Sequence, residues 1–152
     1  MKKIVLVFFD AGGGHRSAVT ALQLVIERQG RPWTVELLNL QEVLDSIDPM
    51  RKIAGLRVQD VYNKILANGW TLGSQYLLKV LQGAIRVGHR QEMRLLEPHW
   101  ERMKPDLVVS AIPHFNRVQF ESLARARPGT PFVTVLTDIA DYPPHFWIEQ
   151  QP

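Results

Sequence analysis

The order of patterns at the amino end constrains this chain most. Lys3 to Phe9 is a run of β-branched, aliphatic and aromatic residues, closed by Asp10-Ala11-Gly12-Gly13-Gly14. From His15 to Gln29 the apolar residues Ala18, Ala21, Leu22, Val25 and Ile26 recur at helical spacing, and Gly30-Arg31-Pro32 ends the element. Trp33 to Leu38 then reads as a strand again. An apolar strand without polar alternation needs cover on both faces. Strand, glycine turn, helix and strand form the opening of a βαβ unit, and hence of a parallel sheet.

The rest of the chain continues the alternation with one long helical excursion. Asp48-Pro49 can start a helix, and Met50 to about Val87 predicts two helices with a break near Asn68-Gly69-Trp70. A further amphipathic helix is predicted from about Gly88 to Arg102, closed by Lys104-Pro105. Asp106 to Ala111 predicts a strand, Asn116 to Arg127 a helix, and Pro131 to Leu136 a last strand. The expected fold class is therefore α/β, a Rossmann-like parallel sheet with helices on both faces, formed as one domain over residues 1–152.

Composition narrows the chemistry. The 152 residues contain no cysteine, which removes thiolate nucleophiles, cysteine-based zinc sites and iron–sulfur clusters together. The six apolar residues Ile4 to Phe9 are too few for an export signal, and nothing later approaches the roughly 18 that a membrane span needs. A soluble, cytoplasmic chain is expected. Its net charge of +3 is unevenly spread. Between Arg51 and Lys104 ten Lys and Arg face four acids, a net +6 that leaves −3 for the remainder. Such a segment suits an anionic surface, and equally a solvated helix face packed on its own sheet.

Ligands of an open parallel sheet bind beyond the carboxyl ends of the strands, and three segments there carry candidate chemistry. Gly12, Gly13 and Gly14 allow a tight turn with exposed N–H groups at a helix start, which suits an anion or an oxygen-rich ligand, or simply a turn. The loop lacks the third glycine of a dinucleotide fingerprint and the Gly-Lys-Ser/Thr close of a phosphate loop. His15 is placed to take a proton from a hydroxyl near neutral pH, or to begin a helix without chemistry. After the third strand, Pro113 restricts its neighbour, and His114 can orient a substrate or cap the next helix. After the last strand come Thr137-Asp138 and Tyr142-Pro143-Pro144-His145-Phe146-Trp147, a set able to bind a polyol or sugar. A metal held by His114, Asp138 and His145 lacks a short-spaced ligand pair, so no metal is expected.

Phe9-Asp10-Ala11-Gly12-Gly13-Gly14-His15-Arg16-Ser17-Ala18 with Ala21-Leu22, taken together with Thr134-Val135-Leu136-Thr137-Asp138 and His145-Phe146-Trp147, resembles the amino-terminal domain of the monogalactosyldiacylglycerol synthase family. That family includes plant galactolipid synthases and bacterial processive diacylglycerol glucosyltransferases. The resemblance runs in order along nearly the whole chain. It implies the amino-terminal, acceptor-binding half of an inverting GT-B glycosyltransferase, with His15 as the base acting on a lipid hydroxyl such as that of diacylglycerol.

By the same resemblance Thr137 and Asp138 line the cleft, and Gly12, Gly13, Gly14, Arg16, Pro113, His114 and His145 complete the expected acceptor site. Arg51, Lys52, Arg57, Lys64 and Trp70 are expected to face an anionic membrane, which would make the protein peripheral on the inner face of the cell membrane. The UDP-sugar would bind a carboxy-terminal half that the 152 residues do not include. The chain alone is thus expected to hold no cofactor and not to turn over, and a separately encoded donor-binding half would be a partner. No nucleic acid partner is expected. Other readings of the same residues are a non-catalytic lipid or glycolipid module and a small nucleotide- or phosphate-binding Rossmann domain.

Overall fold

The structure, a computed structural model, describes residues 1–10, 13–44, 74–137 and 147, with backbone alone at 74–82, 84 and 85. Its elements are β1 (Lys2–Phe8), α1 (Gly14–Arg28), β2 (Trp33–Asn39), α2 (Leu40–Leu44), α3 (Ser74–Met103), β3 (Leu107–Ser110), α4 (Asn116–Ala126) and β4 (Phe132–Thr134). The four strands form one sheet in the order β2-β1-β3-β4, and every pairing is parallel. This is an α/β, Rossmann-like arrangement.

The unbroken apolar run of β1 is explained by its central place. Ile4, Leu6 and Phe8 project to one face and meet Val19 of α1, with Leu22 and Ile26 packed alongside. Val5 and Val7 project to the other and join Leu40 and Leu44 of α2, Met93, Leu96 and Trp100 of α3, and Val118 and Leu123 of α4. Helices therefore cover both faces, as the sequence predicts. Each fully buried aliphatic side chain contributes roughly 1.5–3 kcal/mol, so β1 anchors both layers at once. At its amino end, the Lys3 N–H donates to Asp106 Oδ2 at 2.8 Å and the Asp106 N–H to the Lys3 carbonyl at 2.8 Å. These two bonds fix the entry of β3 beside β1.

One expectation needs correction. The predicted division between Val87 and Gly88 is absent, because α3 runs unbroken from Ser74 to Met103 through Gly88 and Pro98. A Cβ on Gly88 would lie 2.9 Å from Glu92 Oε1, so the glycine makes room for a buried carboxylate instead of stopping the helix. Its propensity cost, about 1 kcal/mol against alanine, is outweighed by burial of Met93, Leu96, Trp100 and Met103 on one stripe. Pro98 lies on the exposed side, where water can satisfy the carbonyl it leaves without a donor. The helix does end where expected, with Lys104 at a positive φ of 49° before Pro105. The sequence predicts no element at α2, a single turn after β2 that carries Leu40 and Leu44 into the core and is too short to show a period. The predicted helix start at Asp48-Pro49 and the break near Asn68-Gly69-Trp70 lie outside the described residues.

Buried polar groups join α3, α4 and β3. Trp100 Nε1–H donates to Ser122 Oγ at 2.8 Å, Ser122 Oγ–H to the Gln119 carbonyl at 3.0 Å, and Gln119 Nε2–H to Ser110 Oγ at 3.2 Å. Directional bonds in a buried setting fix one rotational setting of α4 on the sheet, which apolar packing alone specifies less sharply.

Candidate functional site at the carboxyl ends of the strands

The chain leaves β1 toward β2 on one side and β3 toward β4 on the other, so the switch point of the sheet, where the crevice of such folds lies, falls between the loops after β1 and β3. After β1, Gly13 adopts a left-handed φ of 76°, and its carbonyl accepts Ser17 N–H at 3.1 Å and Ser17 Oγ–H at 2.8 Å. Only glycine adopts that backbone without penalty. Gly14 then starts α1, and the next two residues point to opposite sides of the turn.

Arg16 turns toward β2. Its guanidinium forms a two-pronged ion pair with the Asp10 carboxylate and lies 5.0 Å from the centre of the Phe8 ring. Asn39 Nδ2–H, at the end of β2, reaches the same carboxylate at 3.4 Å and Glu42 Oε1 at 3.0 Å. The hydrogen bonds that Arg16 donates to Asp10 push its guanidinium further above its ordinary value. The residue ties together the ends of β1, α1 and β2.

His15 turns the other way. Its Nδ1 lies 3.1 Å from Thr137 Oγ1, three residues past β4, and its ring meets the Trp147 indole edge-on with centroids 6.1 Å apart. The Trp147 carbonyl accepts Asn116 Nδ2–H at 3.0 Å, and the same amide donates to the Ile112 carbonyl at 3.0 Å. Thus the loop after β1, the segment after β4, and the start of α4 converge around His15.

The segment after β3 packs beneath this group. Ala111 N–H donates to the Val7 carbonyl at 3.0 Å, and Val135 N–H to the Ser110 carbonyl at 2.8 Å, which extends the sheet beyond its formal strand ends. Phe9 and Phe115 meet edge-to-face at 5.3 Å and hold the loops after β1 and β3 together. Pro113 is half-buried, with its carbonyl accepting Phe115 N–H at 2.9 Å. His114 has a positive φ of 66° and is 6 % exposed. Loss of solvation pushes its imidazole down from 6.5 to about 4, so it is neutral at physiological pH. A non-glycine residue held in the left-handed region beside a sheet-end crevice is typical of sites whose loop geometry is over-determined by packing.

Of the residues singled out from sequence, Gly13, Gly14, His15, Pro113, His114 and Thr137 gather at this end of the sheet, and Arg16 is there with its guanidinium on Asp10. Gly12, Asp138, His145, Arg51, Lys52, Arg57, Lys64 and Trp70 lie outside the described residues. Asn116 is a site residue that the sequence does not single out, and Trp147 enters there only as part of the terminal aromatic segment. Asn116 gives no signal beyond a polar residue at a helix start, whereas Trp147 closes the terminal motif. Among the described residues no group of three or more His, Cys, Asp or Glu could hold a metal ion.

Arg86, Arg90 and Arg94 are exposed and four residues apart, so they share one face of α3, with Val87 exposed beside them. Among the described residues no helix is long and apolar enough to cross a membrane. A recess at the opposite end of the strands, lined by Met1, Lys2, Pro32, Trp33 and Asp106, has Lys2 Nζ paired with Asp106 Oδ1 at 2.9 Å. It offers no convergent reactive groups. Comparison with known proteins finds no matching family model, no matching curated protein and no matching solved structure.

Proposed function

We propose that this chain is the acceptor-binding half of an inverting sugar transferase of the GT-B kind, acting on the hydroxyl of a lipid such as diacylglycerol. The observation that carries the reading is the convergence of His15, Thr137 and Trp147 beyond the carboxyl ends of the strands. An imidazole is suited to draw the proton from an acceptor hydroxyl as that oxygen attacks the anomeric carbon of a UDP-sugar, with UDP leaving. The indole, itself buried, backs the imidazole with apolar surface. The fold supports the reading in outline, since a parallel sheet puts its ligands at this end. The stripe of Arg86, Arg90 and Arg94 beside exposed Val87 suits a peripheral contact with anionic lipid. In this reading the UDP-sugar belongs to a second half, and Asp138, His145 and the basic residues Arg51, Lys52, Arg57 and Lys64 extend the acceptor and membrane surfaces.

The test is transfer of labelled sugar from UDP-glucose or UDP-galactose to diacylglycerol in phosphatidylglycerol vesicles by the complete polypeptide the gene encodes. His15→Ala is expected to lower kcat by about 10²–10⁴-fold, the usual worth of a general base, with vesicle binding retained. Transfer that survives the substitution removes His15 as the base. Absence of transfer from either donor, together with tight binding of free UDP by the 152-residue chain, would favour a phosphate-binding role for the turn at Gly13 and Gly14 instead.

A further inference from the structure

We propose that β2 is a pairing edge for a second copy of this chain: two β2 strands align antiparallel about a two-fold axis at Val35 and join their sheets into one of eight strands. Among the described residues β2 pairs with β1 on one side and with no strand on the other. The far edge of the sheet, β4, is three residues long, and shortness is one of the ways proteins blunt an edge. β2 runs for seven residues and contains neither Lys nor Pro. Its one charged residue, Glu36, is drawn back onto Lys3 Nζ at 2.7 Å. β2 lies across β1 from Thr137, so this interface stands apart from the reading of His15.

The ladder fixes which groups of β2 look outward. The Lys3 and Val7 carbonyls accept N–H groups from Asp106 and Ala111 on the β3 side. Successive residues of a strand bond to alternate sides, so Ile4 and Leu6 bond to β2. Their partners in register are Val35 and Leu37, and a parallel ladder bonds the residues flanking such partners, here Thr34, Glu36 and Leu38. The N–H and C=O groups of Val35 and Leu37 and the C=O of Trp33 therefore point away from the sheet. The Trp33 N–H is already given to the Arg31 carbonyl at 2.8 Å. The side chains of Trp33, Val35 and Leu37 share the face that carries α1, and Trp33 and Leu37 are 39 % and 42 % exposed.

One register satisfies this strand against itself. With the axis at Val35, that residue faces its own copy and exchanges two backbone bonds with it. Trp33 then faces Leu37 of the partner subunit on either side of the axis, so the two exposed apolar residues cover each other as an aromatic–aliphatic pair. On the other face Glu36 lies across from Thr34. An axis at Glu36 would set two like charges opposite each other, and an axis at Leu37 would carry Trp33 past the end of the partner strand. The charges at the two ends of β2 agree with the antiparallel sense. Arg31 lies over the Trp33 ring at its start, and Asn39 at its finish reaches Glu42 and Asp10. Pairing brings the basic end of each copy to the acidic end of the other. The axis stands normal to the joined sheet, with both copies of α1 on one side and both sets of α2, α3 and α4 on the other.

A chain without cysteine makes the register readable. Val35→Cys places two thiols on facing residues of a bonded antiparallel pair, about 5.5 Å apart at Cα and within disulfide range. Leu37→Cys places them four residues out of step, about 14 Å along the strand. Under mild oxidation the first should run as a covalent dimer and the second as a monomer. In analytical ultracentrifugation the unsubstituted chain should show a concentration-dependent equilibrium between one copy and two. Leu37→Lys, at an exposed position, should raise the dissociation constant about a hundredfold, which is about tenfold at each of two identical contacts, with an unchanged circular dichroism spectrum.

An unsubstituted chain that sediments as a monomer at the highest concentration it tolerates overturns the proposal, and that measurement needs no variant to fold. So does a dimer in which the two cysteine variants cross-link alike, or neither does, because it uses another surface. Growth beyond two copies overturns it as well, since a two-fold pairing of edges closes on itself.

Discussion

Burial of His114 creates a pH dependence that one substitution can isolate. The folded chain holds this imidazole at about 4, and the unfolded chain returns it to 6.5. As pH falls through 6.5 the unfolded state therefore binds a proton that the folded state refuses until about 4. Stability is untouched above 6.5 and drains between 6.5 and 4. The full shift sets a ceiling of about 3 kcal/mol, and the part lost between about pH 7 and pH 5 is about 2 kcal/mol.

His114→Asn is the suitable perturbation, since asparagine tolerates the left-handed φ of 66° and does not titrate. Urea unfolding of both proteins at pH 7, 6 and 5 gives the comparison, with the other histidines common to both. The wild type should lose about 2 kcal/mol more than the variant across that range, whatever fixed offset the substitution introduces. Parallel declines would refute the reasoning. They would mean that solvent reaches the imidazole in the folded chain, or that the ring stays buried after unfolding.

Gly13→Ala should destabilise the fold by about 1 kcal/mol through its left-handed backbone alone, because no atom lies within 4 Å of the Cβ it would gain. Gly14→Ala, equally uncrowded and helical, should not destabilise, so equal effects of the two in urea unfolding would contradict the assigned conformations. Ser122→Ala leaves Trp100 Nε1–H buried without its acceptor and should cost about 1–3 kcal/mol in the same assay, and an unchanged midpoint would count against the 2.8 Å bond.

The sheet was largely legible because parallel strands announce themselves locally. β1 is apolar at every position from Ile4 to Phe8, and the helical spacing of α1 follows one glycine turn later. The long helix was misdivided at Gly88 because a glycine signals a stop in isolation. What it does here depends on Glu92 one turn on and on a stripe of apolar residues that reaches Met103.

At the site, His15 and Thr137 could each be picked out, since each follows a strand. Their contact could not, because it joins residues 122 positions apart and no local pattern encodes such a pairing. Arg16 shows the converse. A charged residue after a glycine turn reads as a ligand group, and its side chain lies on Asp10, six residues back. Asn116 reads as a helix start, yet its amide braces the Trp147 backbone.

The span of the His15–Thr137 bond also bears on when this crevice can exist during folding. β1 and β2 meet over about a quarter of that separation, as in the Lys2 and Trp33 pair, and β3 and β4 over still less, as in Val108 and Phe132, whereas β3 joins β1 across the long span from Ile4 to Leu107. Each doubling of a closed loop adds about 0.6 kcal/mol of chain entropy, so the two further doublings add about 1.2 kcal/mol to the last step. On chain entropy and strand order together, the crevice is the final part of the sheet to assemble. A nascent chain can therefore carry the β1–α1–β2 unit with its glycine turn and its Asp10–Arg16 clamp while the imidazole still lacks its threonine. The His15–Thr137 contact appears only once the polypeptide has been synthesised past β4.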